Sequence, residues 1–409
     1  MRLRNTLLRG CTFGLLAFHA VGAQRQAAVK QTVVMISLDG FRADYIDRPA
    51  AVHLRALAAR GVRAERLVPS FPSKTYPNHY ALVTGLYPEH NGIVANSMRD
   101  AELGHFAIGN DPAVRDARWW FGEPIWVTAE KQGLRAAAYF WPGSEAPIGG
   151  VRPTWYKKYD GTVPNAERVR AVLAWLALPA DSAPRLINAY FSDADDAGHK
   201  HGPRAVETDS AIARLDSAVG AIMNGITRLG HDTKVNLVVV SDHGMAEIKP
   251  DRIVFLDDYV SLDSLDVVDW TPIAAIVPKK GHERYVYDAL KNANPHLAIY
   301  RKAAVPKRFN FNSGSRITPI VGIADEGWSI TTRTRAAKAA PWLIGGAHGY
   351  DNQLRSMGAL FVASGPAFKS GLVVPPFQNI HVYSLVAEIL KLKPAKTDGS
   401  LDSVRVLLR

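Results

Sequence analysis

The feature that most narrows what this chain can fold into is a repeated pairing: a short, almost wholly apolar run closed by an acidic or imidazole side chain. Val33-Val34-Met35-Ile36-Ser37-Leu38 ends in Asp39-Gly40, Ile187 to Phe191 is followed four residues later by Asp195, and Val235 to Val240 runs into Ser241-Asp242-His243. Continuous β-branched runs of this length read as strands buried on both faces, the habit of a parallel sheet. Between them lie segments at helical spacing. Leu54, Leu57 and Ala58 stop at Gly61; Val169, Val172, Leu173 and Leu176 follow Asn165, read as a helix cap; Ile212, Leu215, Val219, Ile222 and Ile226 lie within Val206 to Leu229. Alternation of this kind predicts an α/β fold with a doubly wound, mostly parallel sheet flanked by helices. From about Val254 to Ala336 the pattern weakens into short strands and one helix around Glu283 to Lys291, before a strand at Ala359 to Ala363 and a helix at Val382 to Leu392 restore it. The expected organisation is therefore an α/β core made of residues 24–253 and 337–409, with 254–336 as a smaller inserted α+β subdomain.

The chain has 409 residues, of which 47% are hydrophobic and 21% charged, enough apolar surface for a sizeable core and too much for disorder. Its formal charge of +11 comes from dispersed residues without a run of five or more Lys/Arg, so no stable nucleic-acid partner is expected. Arg2, Arg4 and Arg9 precede an uncharged stretch, Gly10 to Gln24, that passes through Val21-Gly22-Ala23 before Arg25. This predicts a cleavable secretory signal over residues 1–23, cut near Ala23, and hence an exported protein, periplasmic or secreted. The stretch is shorter than the roughly 18 apolar residues a membrane span needs. Cys11, the only cysteine, lies inside that leader, which leaves the mature chain without thiolate chemistry. Any metal would then be held by histidine and carboxylate.

Ligands of an open parallel sheet bind beyond the carboxyl ends of its strands. Asp39, Asp195, Asp242 and His243 all follow apolar runs, His199 lies four residues after Asp195, and His348 stands in Gly345-Gly346-Ala347-His348-Gly349. A lone Asp after a strand is more often a turn former than a ligand. Six oxygen and nitrogen donors in four segments nevertheless suit two zinc ions, each needing three or four ligands. His53, His79, His90, His105, His201, His231, His282, His296 and His381 are read as structural or surface residues. Pro77, just inside a stretch ending at Gly85, marks a helix start and puts Thr75 at or near its N-cap. There Thr75 either caps the helix or serves as a nucleophile where backbone N–H groups favour a phosphate.

Together these segments resemble the nucleotide pyrophosphatase/phosphodiesterase family of the alkaline phosphatase superfamily, from about Val33 to the C-terminus. The resemblance rests on Ser37-Leu38-Asp39-Gly40-Phe41, Pro72-Ser73-Lys74-Thr75 through Thr84-Gly85-Leu86-Tyr87-Pro88, Asp195 through Gly198-His199, Ser241-Asp242-His243-Gly244-Met245, and Gly346-Ala347-His348-Gly349. It implies an alkaline phosphatase-like core with one zinc on Asp195, His199 and His348 and a second on Asp39, Thr75, Asp242 and His243. It further implies Thr75 as nucleophile, Asn96 as a donor to a phosphoryl oxygen, and Tyr76 and Tyr159 on either side of a base, with Tyr190 nearby. The implied activity is hydrolysis of ATP, dinucleotides and related substrates to nucleoside 5′-monophosphates through a covalent threonyl-nucleotide. Tyr76 stands where Phe is common in the family, and Asp193-Ala194-Asp195 replaces its usual Glu-Pro-Asp. Two alternatives share the metal ligands and differ in the pocket: a phosphodiesterase of choline or lipid headgroup diesters, and a phosphonoacetate hydrolase.

Overall fold

The computed structural model describes residues 30–338 and 344–409. The expected leader, Cys11 included, lies outside the described residues. Residues from Gln31 onward form one compact unit built on an eight-stranded sheet. From edge to edge its strands are Leu372–Val374, Val62–Ala64, Phe361–Ser364, Val235–Val240, Thr32–Leu38, Leu186–Phe191, Ala136–Tyr139 and Trp155–Lys157. The protein is an α/β fold with a mostly parallel sheet, and Phe361–Ser364 alone runs against its neighbours.

Alternation along Thr32–Leu38 shows why these residues make a strand with two covered faces. Val33 and Met35 enter one hydrophobic core, which includes Tyr80, Leu82, Val83, Leu385 and Val386 from the helices Thr75–Thr84 and His381–Leu390. Val34, Ile36 and Leu38 enter the opposite core, against the helices Val52–Arg60, Asn165–Leu176 and Val206–Arg228. Each fully buried Leu or Ile contributes about 1.5–3 kcal/mol relative to exposure, so the two apolar layers dominate the fold's stability. No helix among the described residues is long and apolar enough to cross a membrane.

Two local readings change. Asn165 is the first helical residue rather than a cap, and its side-chain amide donates to Asp193 Oδ2 at 2.8 Å. Thr75 likewise opens its helix without capping it, because Lys74 occupies the cap position and no side chain caps the helix. Within 254–336, the strands Leu265–Asp269, Ile273–Pro278, Ile320–Ala324 and Leu297–Arg301 form a separate four-stranded antiparallel sheet, with the helix Glu283–Leu290 and a third hydrophobic cluster.

Candidate functional site

The three central parallel strands, Val235–Val240, Thr32–Leu38 and Leu186–Phe191, end side by side, and the residues after them converge. Asp39 follows the middle strand directly, Asp242 and His243 follow one neighbour, and the helix Asp193–His201 after the other carries Asp195 and His199 one turn apart. Two glycines permit the approach. A Cβ on Gly40, where φ is +64°, would lie 2.9 Å from Asp195 Cα, and the Gly40 N–H donates to Asp242 Oδ1 at 3.2 Å. A Cβ on Gly345 would lie 2.2 Å from the His199 carbonyl. Gly345–Ala347 pairs antiparallel with Ala246–Ile248 and delivers His348 to the cluster.

The histidine rings are fixed by backbone carbonyls, which only accept hydrogen bonds. His199 Nδ1 donates to Gly346 O at 2.9 Å, His348 Nδ1 to Ser73 O at 2.9 Å, and His243 Nδ1 to Gly244 O at 2.8 Å. All three therefore turn Nε2 inward, the arrangement that orients imidazole ligands. His199 Nε2 and His348 Nε2 stand 3.1 Å apart, and Asp195 lies 3.5 Å from the first and 3.7 Å from the second. His243 Nε2 is 2.9 Å from Asp242 Oδ2, 3.5 Å from Asp39 Oδ1 and 3.3 Å from Thr75 Oγ1. Donors around a tetrahedral ion with bonds of about 2.0–2.1 Å are themselves about 3.3–3.4 Å apart, so these spacings fit. Asp39 Oδ1, Asp195 Oδ1 and Asp242 Oδ2 are buried without a hydrogen bond, which a cation would relieve. The donor set thus fits bound metal: the ligand atoms of Asp195, His199 and His348, of Asp39, Asp195 and His243, and of Asp39, His79 and Asp242 lie within 4.8 Å of one another in each triplet.

Electrostatics lead to the same reading. Burial, then the Asp242 and Asp195 carboxylates, push Asp39 well above the ordinary carboxylate range, and burial raises Asp195 to about 7. Burial lowers His199 and, with His243 nearby, lowers His348 much further. Burial opposes charge on His243 as well, but Asp242 and Asp39 outweigh it and draw His243 up to about 10. Burial likewise opposes charge on Asp242, where His243 and His79 prevail and hold the carboxyl well below its usual value. In the metal-free chain protons occupy the place where positive charge is demanded.

All seven expected ligands are brought together. Asn96 Oδ1 accepts the Tyr76 backbone N–H at 2.9 Å, which fixes which way the Asn96 amide points and leaves its NH₂ as the outward donor. Tyr76 packs edge-on against Phe106, with ring centroids 5.8 Å apart, and tilted against Trp120 at 6.0 Å. Tyr159 is 49% exposed and meets Phe140 and Tyr190 edge-on. Tyr190 is buried, and its hydroxyl donates to Asp39 Oδ2 at 2.6 Å, so its polar end is engaged by that carboxylate.

Sequence reasoning passed over three residues that the fold brings here. His79, fully buried, lies 2.7 Å from Ser37 Oγ, 2.9 Å from Thr75 O and 3.3 Å from Asp242 Oδ2. Its signal was the four-residue spacing from Thr75 on an otherwise apolar helix face. Glu145 accepts the Tyr159 N–H at 2.9 Å, and its charge helps raise the Tyr76 hydroxyl, whose shift is due first to burial. Lys74 is buried beside Thr75, 2.5 Å from Asp269 and 3.1 Å from Trp270 O. A groove of about 1050 Å³ is lined by Asp193, Asp196, Ala197 and Lys200, the face of their helix opposite Asp195 and His199. None of the seven ligands lines it, so its size does not mark the chemistry.

The cluster of carboxylates and imidazoles beside a threonine lies at the carboxyl end of a parallel sheet, where such folds bind their ligands, and the chain's relatives are hydrolases. The chain belongs to the Type I phosphodiesterase / nucleotide pyrophosphatase family, whose family model matches residues 33–351. It is 39% identical to mouse (Mus musculus) bis(5′-adenosyl)-triphosphatase enpp4 over 381 residues, 92% of this chain and 81% of that protein. It is 38% identical to mouse ectonucleotide pyrophosphatase/phosphodiesterase family member 1 over 388 residues, 92% of this chain and 42% of the longer relative. Among solved structures it is similar to murine ectonucleotide pyrophosphatase / phosphodiesterase 5, in an inactive variant complexed with AMP. The TM-score is 0.88 and the identity 35%, covering 93% of this chain and 100% of that one.

Proposed function

We propose that this enzyme hydrolyses nucleotide phosphodiester and phosphoanhydride bonds to nucleoside 5′-monophosphates through a covalent threonyl-nucleotide. The observation that carries the reading is the position of Thr75 Oγ1, 3.3 Å from His243 Nε2, which is itself 2.9 Å from the unpartnered Asp242 Oδ2 and 3.5 Å from the unpartnered Asp39 Oδ1. Two zinc ions, one on Asp195, His199 and His348 and one on Asp39, Thr75, Asp242 and His243, would supply Lewis acidity that lowers the pKa of the threonine hydroxyl and of water and neutralises developing charge.

Thr75 Oγ attacks phosphorus in line, the leaving oxygen departs from the opposite side, and a water then cleaves the threonyl ester. Thr75 opens its helix, so its own N–H has no carbonyl one turn earlier to meet. That N–H and the Asn96 NH₂ are neutral donors for the equatorial oxygens, a match for the single charge of a diester. Tyr76 and Tyr159 would hold the base between them, and ATP and dinucleotides are the proposed substrates. The export signal and the division into a core with an insertion over 254–336 belong to the same proposal. Product analysis on ATP, a dinucleotide and a choline phosphodiester, with zinc measured on the same sample, tests it. Nucleoside 5′-monophosphate from the first two supports the reading; cleavage of the choline diester alone replaces it with a headgroup diesterase.

A further inference from the structure

We propose that His79 is a positioning residue whose Nδ1–H fixes the main chain of the nucleophile by a hydrogen bond to the Thr75 carbonyl, with the imidazole set beside the Asp242 carboxylate by charge contact rather than by a hydrogen bond. This rests on the reading of the site given above and adds to it a residue outside the seven ligands.

His79 is fully buried in the helix Thr75–Thr84, one turn after the nucleophile. Its Nδ1 faces two groups that only accept, the Thr75 carbonyl at 2.9 Å and Asp242 Oδ2 at 3.3 Å, so Nδ1 must carry a proton. At the far side of the ring Nε2 lies 2.7 Å from Ser37 Oγ, a hydroxyl that can donate or accept. Ser37 is the penultimate residue of the strand Thr32–Leu38, two residues before Asp39. One imidazole therefore ties together the nucleophile's backbone, one ligand carboxylate and the strand that presents another. Trp141 and Tyr190 meet the ring edge-on at 5.4 and 5.2 Å, and Trp141 Nε1 donates to the His79 carbonyl at 3.1 Å, so the ring has little freedom to tilt.

Outer partners of ligand side chains set their orientation, and losing one typically weakens metal affinity or activity about 10–100-fold. The two ring nitrogens can be separated by substitution, because an Asn amide places its NH₂ near Nδ1 and a Gln amide places its own near Nε2. Zinc would be titrated into chelator-stripped full-length protein, wild type, His79→Ala, His79→Asn and His79→Gln, with bound metal, kcat and KM followed and folding checked by circular dichroism. In His79→Ala and His79→Gln the ion on Asp39, Thr75, Asp242 and His243 should bind about tenfold or more weakly, kcat should fall alongside, and KM should change little. The ion on Asp195, His199 and His348 should bind as in wild type. His79→Asn should recover most of the loss in both affinity and kcat. Wild-type affinity and kcat in His79→Gln, or equal impairment of the Asn and Gln variants, would overturn the role of Nδ1. Wild-type protein that bound no metal would overturn the reading of the site rather than that of His79.

Discussion

His199 and His348 face each other through Nε2 atoms 3.1 Å apart, each ring locked by a carbonyl on its other nitrogen. Two lone pairs at that distance repel unless a cation lies between or beside them, so the fold holds the pair ready at a cost that metal repays. Purified protein should carry close to two zinc ions per chain, and chelation should abolish turnover reversibly. Elemental analysis finding one ion or none in fully active enzyme would contradict the two-ion assignment.

The same site couples stability to pH differently with and without metal. Folded, metal-free protein keeps protons on Asp39 and on Asp195, the latter up to about 7, whereas carboxyls of the unfolded chain lose them near about 4. At these two carboxyls the folded state binds more protons, so their contribution to metal-free stability is lost as pH rises from about 4 through about 7 and that of His243 is lost toward about 10, while His199 and His348, whose folded pKa values are lowered, act in the opposite sense and cost stability below about 6.5. Asp242 acts oppositely, its contribution being lost only in acid. Metal binding must expel these protons, so the rise in Tm on adding zinc should grow between about pH 5.5 and pH 8. Melting curves of chelated and loaded protein across that range check it; a constant difference would mean the ligands do not titrate.

Thr75→Ala should fold normally, since Thr75 caps nothing, and lose about 10³-fold or more in kcat. Thr75→Ser should keep part of the rate because it retains a hydroxyl. Initial rates on a diester decide between this account and direct attack by water.

Much of this was legible in the sequence, for a physical reason. The central strands are covered on both faces, so their apolar runs are continuous, and a polar residue at their ends stands out. The outer strands of the sheet, Val62–Ala64, Ala136–Tyr139, Trp155–Lys157 and Leu372–Val374, were not legible: they are three or four residues long and become strands by pairing with neighbours rather than by their own pattern. Nor does composition carry the direction of a strand, so the reversed course of Phe361–Ser364 emerges only from its pairing. His79 and Lys74 escaped because their partners, Ser37 and Asp242 for the one and Asp269 for the other, lie far away in sequence and are brought to them only by the fold.

Lys74 and Asp269 form an ion pair whose side chains are 6% and 12% exposed, joining the nucleophile's segment to the antiparallel sheet. Removing one partner strands the other, so Lys74→Met should destabilise by about 3–5 kcal/mol, while pairing it with Asp269→Leu should recover much of that. Denaturant midpoints of the single and double variants would check the coupling.

Tyr76→Ala and Tyr159→Ala should each lower kcat/KM for ATP or a dinucleotide about tenfold or more, since stacking a base on an aromatic contributes roughly 1–3 kcal/mol. A methyl-aryl phosphodiester, lacking a base, should be cleaved nearly as before. Equal losses on both substrates would place these tyrosines outside the base slot.

The central claim, attack by Thr75 and then by water, is tested most directly by the stereochemical course at phosphorus. A nucleotide phosphorothioate diester of known configuration would be hydrolysed in ¹⁸O-labelled water and the product's configuration read. Two in-line displacements, one onto Thr75 and one off it, predict net retention. Net inversion would show a single displacement by water and contradict the covalent threonyl-nucleotide.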